Sequence, residues 1–392
     1  MKESVYLAYR YMLHNKIKSV VMILSLTILL SLPFCLNILV NKSESYLMSR
    51  AKNTPLIIGT RGSSLDLVIN SLYFEKTEII EMKYEELSRV KKTGFALPIP
   101  LHTKFSSNNF PIVGTTIDYF EFRGLEIKSG DLFAVLGECV LGADVASKLN
   151  LKPGQHITSS PETALDITGV YPLKMKVAGV LEKAFTPDDK AVFTDLKTTW
   201  VIEGLIHGHQ DLQKSRDTSI LLGVKDNNYI ANAKLYSYNN ITPENIFDFH
   251  IHGEKGQYPL TSVISLPYTE KDKALLMGRY LAKDDTSQIL IPRNVIAKLI
   301  DNIFKFKKFF EGIFVFVAVA LLMLLTLVII LSLRLRSKEI QTMFKLGSSR
   351  FKILEIISFE LIILLSVSVI ISAGLIYFAL INVDNFIKMI VF

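Results

Sequence analysis

The stretch Arg334–Glu360, RLRSKEIQTMFKLGSSRFKILEIISFE, decides the fold class, because it separates two apolar runs that are each long enough to cross a bilayer. Those runs are Phe309–Leu333 and Ile353–Leu380. A short loop rich in lysine and arginine between two spans is held on the cytoplasmic side. The first nineteen residues of this stretch carry one acid, Glu339, and six basic side chains, Arg334, Arg336, Lys338, Lys345, Arg350 and Lys352. The sequence therefore predicts an α-helical membrane protein in which residues 334–352 form a cytoplasmic loop.

The loop has the pattern of a short amphipathic helix. Ile340, Met343 and Phe344 are spaced i, i+3, i+4, which places them on one helical face. Gly347 is placed to end this helix, and Ser348 or Ser349 to cap the next one. An apolar ridge surrounded by basic side chains suits a groove on a partner protein. A charged hairpin tip without a partner is the alternative interpretation.

A further apolar run near the N-terminus predicts the first membrane span over residues 19–40. Basic residues precede it, so residues 1–18 are expected to form a cytoplasmic interfacial helix. The run is too long for a typical signal peptide and no small-x-small cleavage site follows it. Bulky Phe34 before Cys35 argues against a lipidation box. With spans at 309–333 and 353–380, three transmembrane helices leave residues 381–392 as an extracytoplasmic tail.

Residues 41–308 contain no apolar run long enough to cross a membrane, so they are expected to form a large extracytoplasmic domain. Short β-rich runs, single helices and Gly/Pro turns predict an α+β fold, and the length suffices for two subdomains. Within it we expect a polar helix over Glu78–Lys92. A strand is expected from Phe110 and is extended by the run Val113–Phe133.

Composition excludes several classes of function. The chain has 392 residues, a net charge of +7 and a mean hydropathy of +0.33, and much of the basic excess flanks apolar runs, as topology requires. Nucleic acid is therefore not an expected partner. Cys35 and Cys139 are expected to be free. No Walker A loop, GxGxxG, GxSxG or HExxH motif occurs, so no catalytic residues are assigned, and any ATP and Mg²⁺ must be bound by a separate subunit.

Two His-x-His patterns are candidate metal ligands: His207 with His209, and His250 with His252. On a strand, alternate residues share a face, so each pair could present both imidazoles to zinc or copper. Glu203 precedes the first pair. The alternative is that these are ordinary polar side chains in turns.

The last apolar run carries small residues that allow close helix packing, in this chain or with a second copy, namely Ser366, Ser368, Ser372, Ala373 and Gly374. Glu355 and Glu360 lie near its cytoplasmic end. From there a carboxylate can reach headgroups or basic residues of the loop; a proton-relay role is the alternative.

Several phrases taken in order resemble the MacB/FtsX-like ABC transporter permeases, which work by mechanotransmission. They are LAYRYMLHNKIKSVV at the entry helix, GTTIDYF and GECVLGADVASKLNLKPG in the outer domain, and SKEIQTMFKLGSSRFKILEIISFE in the loop. The resemblance implies an outer domain of the MacB periplasmic core type. It also implies that Glu339, Ile340, Met343, Phe344, Lys345 and Gly347 contact an ATPase. The family usually has a fourth transmembrane helix, whereas three are expected here, so the chain is either a three-helix variant or truncated.

The resemblance implies the permease subunit of a bacterial inner-membrane complex. Its expected partners are a cytoplasmic ABC ATPase, a second copy or a homologous permease, a periplasmic adaptor or substrate protein, and membrane lipids. One alternative is an FtsX-like regulator of a cell-wall hydrolase. The other is a membrane-anchored metal-binding sensor or enzyme that uses the four histidines.

Overall fold

A computed structural model of the chain describes residues 2–160, 172–208, 221–225, 228–231, 240–251, 253–282, 286–335, 337–345 and 347–391. Its α-helices are α1 (Lys2–His14), α2 (Lys16–Lys52), α3 (Ser64–Tyr73), α4 (Glu85–Thr93), α5 (Asp118–Arg123), α6 (Ala143–Leu149), α7 (Leu196–Ile202), α8 (Glu270–Gly278), α9 (Pro292–Leu335), α10 (Ser337–Lys345) and α11 (Arg350–Val391).

The strands, almost all of them short, lie between α2 and α9. They are β1 (Leu56–Thr60), β2 (Met82–Lys83), β3 (Ala96–Leu101), β4 (Ser106–Ser107), β5 (Phe110–Thr115), β6 (Ile127–Gly130), β7 (Glu138–Leu141), β8 (His156–Thr158), β9 (Lys174–Leu181), β10 (Val192–Asp195), β11 (Ile206–Gly208), β12 (Leu221–Lys225), β13 (Asn228–Ala231), β14 (Phe249–Ile251), β15 (Pro259–Leu260), β16 (Ser262–Pro267) and β17 (Ser287–Leu290).

The chain forms two compact units. One is helical and consists of Met1–Leu47 and Ile300–Val391; the other is Met48–Leu299 and contains every described strand. We call them the helical unit and the outer domain.

Among the described residues, two helices are long and apolar enough to cross a membrane by length and composition: Lys16–Lys52 and the stretch Arg350–Val383. The third expected span, 309–333, lies inside α9, a continuous helix of 44 residues. Many large apolar side chains of α2, α9 and α11 are exposed, among them Phe316, Met323 and Ile370. Such surfaces are unfavourable in water and suit a lipid environment.

The outer domain is built on two principal sheets. The first has the strand order β17-β1-β16-β3 and is antiparallel throughout. The second is mixed, with the order β4-β5-β10-β7-β9-β6 and β8 paired to β9. Its β5–β10 and β7–β9 pairs are parallel. One antiparallel and one mixed sheet, combined with single helices, confirm the expected α+β fold.

A backbone bridge between His102 and Gly114 joins the edges of the two sheets. His102 directly follows β3 and Gly114 belongs to β5, and each residue's N–H donates to the other's carbonyl, at 2.9 and 2.8 Å. The core continues across this seam to Trp200 on α7, which is fully buried. The Trp200 ring packs edge-on against Tyr84 and Tyr258.

Two expectations about local structure were wrong. The region Glu78–Lys92 is not one helix, because buried Met82 pairs with Leu260 in a short ladder and α4 begins only at Glu85. The run after β5 contains a helix, α5, which buries Tyr119 and Phe120 and ends at Gly124 in the left-handed conformation. Tertiary packing of these side chains overrides the strand-like local pattern.

Candidate functional site

The loop between α9 and α11 contains the expected short helix, α10. Ile340 and Met343 are half-buried, and Phe344 on the same face exposes 42% of its surface. Lys345 is the last residue of α10, and Glu339 lies within it, although its side chain is outside the description. Exposed Lys338 and Arg350 add positive charge around the apolar face.

Both expected helix boundaries of this loop are confirmed. Gly347 has a φ of +91°, in the left-handed region that favours glycine, and its N–H donates to the carbonyl of Phe344. The N–H of Ser348 donates to the carbonyl of Met343, which completes a C-terminal cap. The Ser349 hydroxyl accepts from the N–H of Lys352 and so caps α11. The cap that ends α10 and the cap that begins α11 are almost adjacent, so the turn between the two helices is well defined.

The small residues of α11 contact α2. The Ser368 hydroxyl lies 3.3 Å from the Ile23 carbonyl, and the Ser372 hydroxyl lies 3.2 Å from the Thr27 carbonyl. Both serines are buried, so the two helix backbones approach closely there. The expected packing against another helix of this chain is confirmed for these two residues.

The two carboxylates of α11 have different partners. Glu355 pairs with Lys352 of the loop at 3.2 Å, as expected for a residue near the interface. Glu360 is buried and pairs with Lys18 of α2, also at 3.2 Å. Together with the serine contacts, this ion pair joins α2 to α11.

In the outer domain, the end of α2 is bound through a buried ion pair. Arg50 Nη1 lies 2.6 Å from Asp188 Oδ2, and Arg50 Nη2 lies 2.9 Å from Asp188 Oδ1. The Tyr119 hydroxyl donates to Asp188 Oδ1 at 2.7 Å and accepts from Arg50 Nη2 at 2.8 Å. We call Arg50, Tyr119 and Asp188 the Arg50 cluster. It fixes the C-terminal turn of α2 to the turn before β10, because bidentate pairing defines both distance and angle.

Burial and charge together set the protonation of the Arg50 cluster. Burial alone raises the pKa of Asp188, but the charges of Arg50 and Arg123 and the hydrogen bonds from Arg50 and Tyr119 lower it to about 2. Burial would lower the pKa of Arg50, yet the carboxylate of Asp188 raises it overall. Burial raises the pKa of Tyr119 to about 12. The pair is therefore fully ionised, and Tyr119 neutral, at any physiological pH.

The histidine patterns are only partly described, because His209 and His252 lie outside the described residues. His207 and His250 are opposite each other on the antiparallel strands β11 and β14, with ring centroids 5.5 Å apart. Their Nδ1 atoms lie 3.2 and 2.9 Å from the carbonyls of Gly204 and Asp248. The sequence predicted pairs along one strand and gave no sign of this cross-strand pair. Metal binding by these histidines stays a prediction.

A different group of metal-ligand side chains meets at the seam between the two sheets: Glu81, His102 and Glu203. Sequence reasoning noticed Glu203 only as a neighbour of His207, and it missed the other two. They come from three separate segments, so no short motif could have revealed the group. The one available signal was a histidine at the end of the apolar strand ALPIPL.

An open cavity of about 440 Å³ lies beside the ends of β5 and β10. Its walls include Ile117, Phe133 and Val135, together with the charged groups Asp118, Asp195 and Lys197. None of the residues selected from the sequence lines it.

Comparison with known proteins gives a family and similarities to solved structures. Residues 20–234, more than half of the chain, match the family described as MacB-like periplasmic core domain. No curated protein matches the chain.

The crystal structure of the periplasmic region of MacB from Actinobacillus actinomycetemcomitans is 12% identical, with a TM-score of 0.35; the match covers 65% of this chain and 98% of that one. The extracellular domain of the noncanonic ABC-type transporter YknZ from Gram-positive bacteria is 10% identical, with a TM-score of 0.32, and the match covers 60% and 98%.

Proposed function

Because the chain belongs to the family of the MacB-like periplasmic core domain, that of the MacB/FtsX-like ABC transporter permeases, we propose that it is the membrane subunit of an ATP-driven complex. In this proposal a separate cytoplasmic ATPase subunit binds ATP and Mg²⁺. The chain converts the movement of that subunit into work on a substrate outside the cytoplasm. Two copies, or this chain and a homologous permease, form the membrane part, and an adaptor or substrate protein meets the outer domain.

The observation that carries the proposal is the form of α10. It is a capped helix of nine residues between two long helices, with a partly exposed apolar face and basic neighbours. A helix of this kind can enter a groove on a partner, because the cap at Gly347 fixes its C-terminal end and the cap at Ser349 starts α11 directly afterwards.

Two continuous helices support the transmission step. α9 runs without a break from Pro292, next to the strand β17, to Leu335, directly before α10. α2 runs from Lys16 to Lys52 and carries Arg50, which is bound to Asp188 of the outer domain. Rigid helices transmit displacement over their whole length, whereas a flexible linker absorbs it. We propose that α9 transmits the motion and that the Arg50 cluster anchors α2 against it.

The topology belongs to the same proposal. The N-terminus and α10 are cytoplasmic, residues 41–308 are extracytoplasmic, and α2, α9 and α11 cross the bacterial inner membrane. The basic residues of the loop and of the N-terminal segment support this orientation.

The proposal is tested by placing a charge on the apolar face of α10. We expect Phe344→Glu to reduce the ATPase activity of the complex, purified with the ATPase that accompanies the wild-type chain, by at least about tenfold. A desolvated carboxylate in an apolar groove is strongly unfavourable. Thr342 lies on the opposite face of α10 and is exposed, so Thr342→Glu adds the same charge as a matched control and is expected to stay within about twofold.

Membrane insertion of both variants is compared by their amounts in purified membranes. Normal ATPase activity in Phe344→Glu, or an equal loss in both variants, would contradict docking through this face. An FtsX-like regulator of a cell-wall hydrolase would also need α10. Recovery of a hydrolase with the outer domain, and unchanged export after deletion of the chain, would identify that role instead.

A further inference from the structure

Three side chains of the types that bind divalent metals converge at the seam between the two sheets of the outer domain. Glu81 directly precedes β2, His102 directly follows β3, and Glu203 directly follows α7. Their candidate ligand atoms all lie within 4.8 Å of one another, and no other group of three was found among the described residues. His102 Nε2 lies 3.4 Å from Glu81 Oε1 and 3.9 Å from Glu203 Oε2. In a tetrahedral site with bonds of about 2.1 Å, ligand atoms are about 3.4 Å apart, which is close to both distances from His102 Nε2.

The hydrogen bonds of Thr199 determine which nitrogen of His102 carries the proton. The Thr199 hydroxyl has one hydrogen, and it donates this to the carbonyl of Leu196 at 2.7 Å. Thr199 Oγ1 also lies 2.9 Å from His102 Nδ1, and there it must accept. His102 Nδ1 is therefore the N–H donor, and in the neutral ring the lone pair is on Nε2, on the side of the two carboxylates. Metal-binding histidines commonly have their other ring nitrogen oriented in this way by a protein group.

The arrangement around His102 is rigid. The His102 backbone makes two hydrogen bonds to Gly114, and its side chain is fully buried. A Cβ at Gly114 would come within 2.5 Å of Thr199 Cγ2, so glycine at this position lets Thr199 approach close enough to orient the ring. Pre-organised ligands lose little conformational entropy when a metal binds.

Among the described residues, two carboxylates and one lysine ammonium meet at the seam. Lys104 Nζ lies 2.6 Å from Glu203 Oε1 and 3.4 Å from Glu81 Oε1, so one ammonium faces two carboxylates. Glu203 Oε2 is buried and has no hydrogen-bond partner among the described residues, although it faces the Nε2 lone pair of His102. When the His102 ring is neutral, these two electron-rich atoms face each other in a buried site, and they repel each other unless a cation lies between them.

We propose that Glu81, His102 and Glu203 form a binding site for a divalent first-row metal ion, with Zn²⁺ the best match to one imidazole and two carboxylates. The bound ion would balance the second carboxylate and complete the coordination of Glu203 Oε2. It would also tie together the segments before β2, after β3 and after α7, and thereby fix the seam between the two sheets. This site is distinct from the His207 and His250 pair, and it does not depend on the proposed transport function.

The test uses the full-length protein in detergent, freed of metal with EDTA, which is then removed before ZnCl₂ is added. We expect one zinc ion per chain by elemental analysis after gel filtration. We also expect zinc to raise the midpoint of thermal unfolding by about 5 °C at a concentration of about 100 times Kd. Glu81→Gln and Glu203→Gln should each weaken zinc binding at least about tenfold. Both keep the size of the side chain, and Glu81 is partly exposed, so this variant is the less disruptive one.

Two controls separate this site from others. The side chain of Glu138 is as exposed as that of Glu203 and is paired with Lys176. The variant Glu138→Gln should therefore bind zinc as the wild type does. The double variant His207→Ala/His250→Ala should also retain the zinc.

The proposal is overturned if the wild type binds no zinc, if Glu81→Gln and Glu203→Gln bind it normally, or if only the double variant loses it.

Discussion

Arg50 carries a full charge into the interior of the outer domain, where Asp188 binds it through two hydrogen bonds. Its side chain is 8% exposed and that of Asp188 only 1%. Loss of one partner of a buried ion pair is costly, because the remaining charge has no solvent to stabilise it. The Arg50 cluster is therefore a residue-scale feature on which the attachment of α2 depends.

We expect Asp188→Asn to lower the free energy of unfolding by about 3–5 kcal/mol, which corresponds to about 10 °C in the thermal midpoint of a domain of this size. The amide keeps the shape of the carboxylate but leaves Arg50 unbalanced. Thermal unfolding of the full-length protein in detergent measures the effect. Asp144 pairs with partly exposed Lys183, so Asp144→Asn is the matched control and should cost at most about 1 kcal/mol.

The same ion pair predicts a pH dependence. The folded pKa of Asp188, about 2, is below its value of about 3.9 in an unfolded chain, so its contribution is fully present above about pH 4 and is lost as pH falls towards 2. Stability from this pair should therefore be constant between about pH 5 and 8 and decrease below about pH 4. Asp188→Asn should lack that component of the decrease. An equal acid response in both proteins would contradict the assignment.

At the scale of elements, α2 and α11 associate through small residues and one ion pair. Ser368 is fully buried against the backbone of α2, whereas Ser366, two positions away, is exposed and donates only to the Ile362 carbonyl of its own helix. Close approach of the helices therefore depends on the face that carries Ser368 and Ser372, and the other face is available to lipid or to a second chain.

We expect Ser368→Leu to destabilise the helical unit by about 1–3 kcal/mol, because the larger side chain forces the helices apart. Ser366→Leu adds the same atoms on the exposed face and should stay within about 0.5 kcal/mol of the wild type. Thermal unfolding in detergent compares the two. If both variants lose stability equally, the loss follows from changing helix composition and not from contact with α2.

At the scale of the whole molecule, the proposed topology predicts which side of the membrane each region can be reached from. In a variant with Cys35→Ser and Cys139→Ala, Met343→Cys should react with a membrane-impermeant thiol reagent only after the cells are opened. Phe247, 92% exposed in the outer domain, provides the control. Phe247→Cys should react in intact spheroplasts. If Met343→Cys reacted in intact spheroplasts, α10 would lie outside the cytoplasm. The proposed orientation would then be wrong, and docking to a cytoplasmic ATPase would be excluded.

Local physical chemistry explains what could be predicted from the sequence. Uninterrupted apolar runs, flanking basic residues and the i, i+3, i+4 spacing at Ile340 act within a few turns of helix, so they predict helices, and the basic residues predict an orientation. Gly347 and the capping serine belong to the same class, because a helix boundary depends on its own four to six residues. The α+β character of the outer domain followed from short strands and turns in the same way.

The sequence by itself thus determined the long helices of the helical unit, the amphipathic helix in the basic loop and the class of the outer domain. Only the tertiary structure decided that Arg50 meets Asp188, that His207 faces His250, and that Glu81 and Glu203 meet His102 at one seam. It also decided that Glu360 pairs with Lys18, and that part of the run expected to be a strand forms the helix α5. The physical reason is distance along the chain: a side-chain contact between remote segments depends on strand register and packing, which no local pattern encodes.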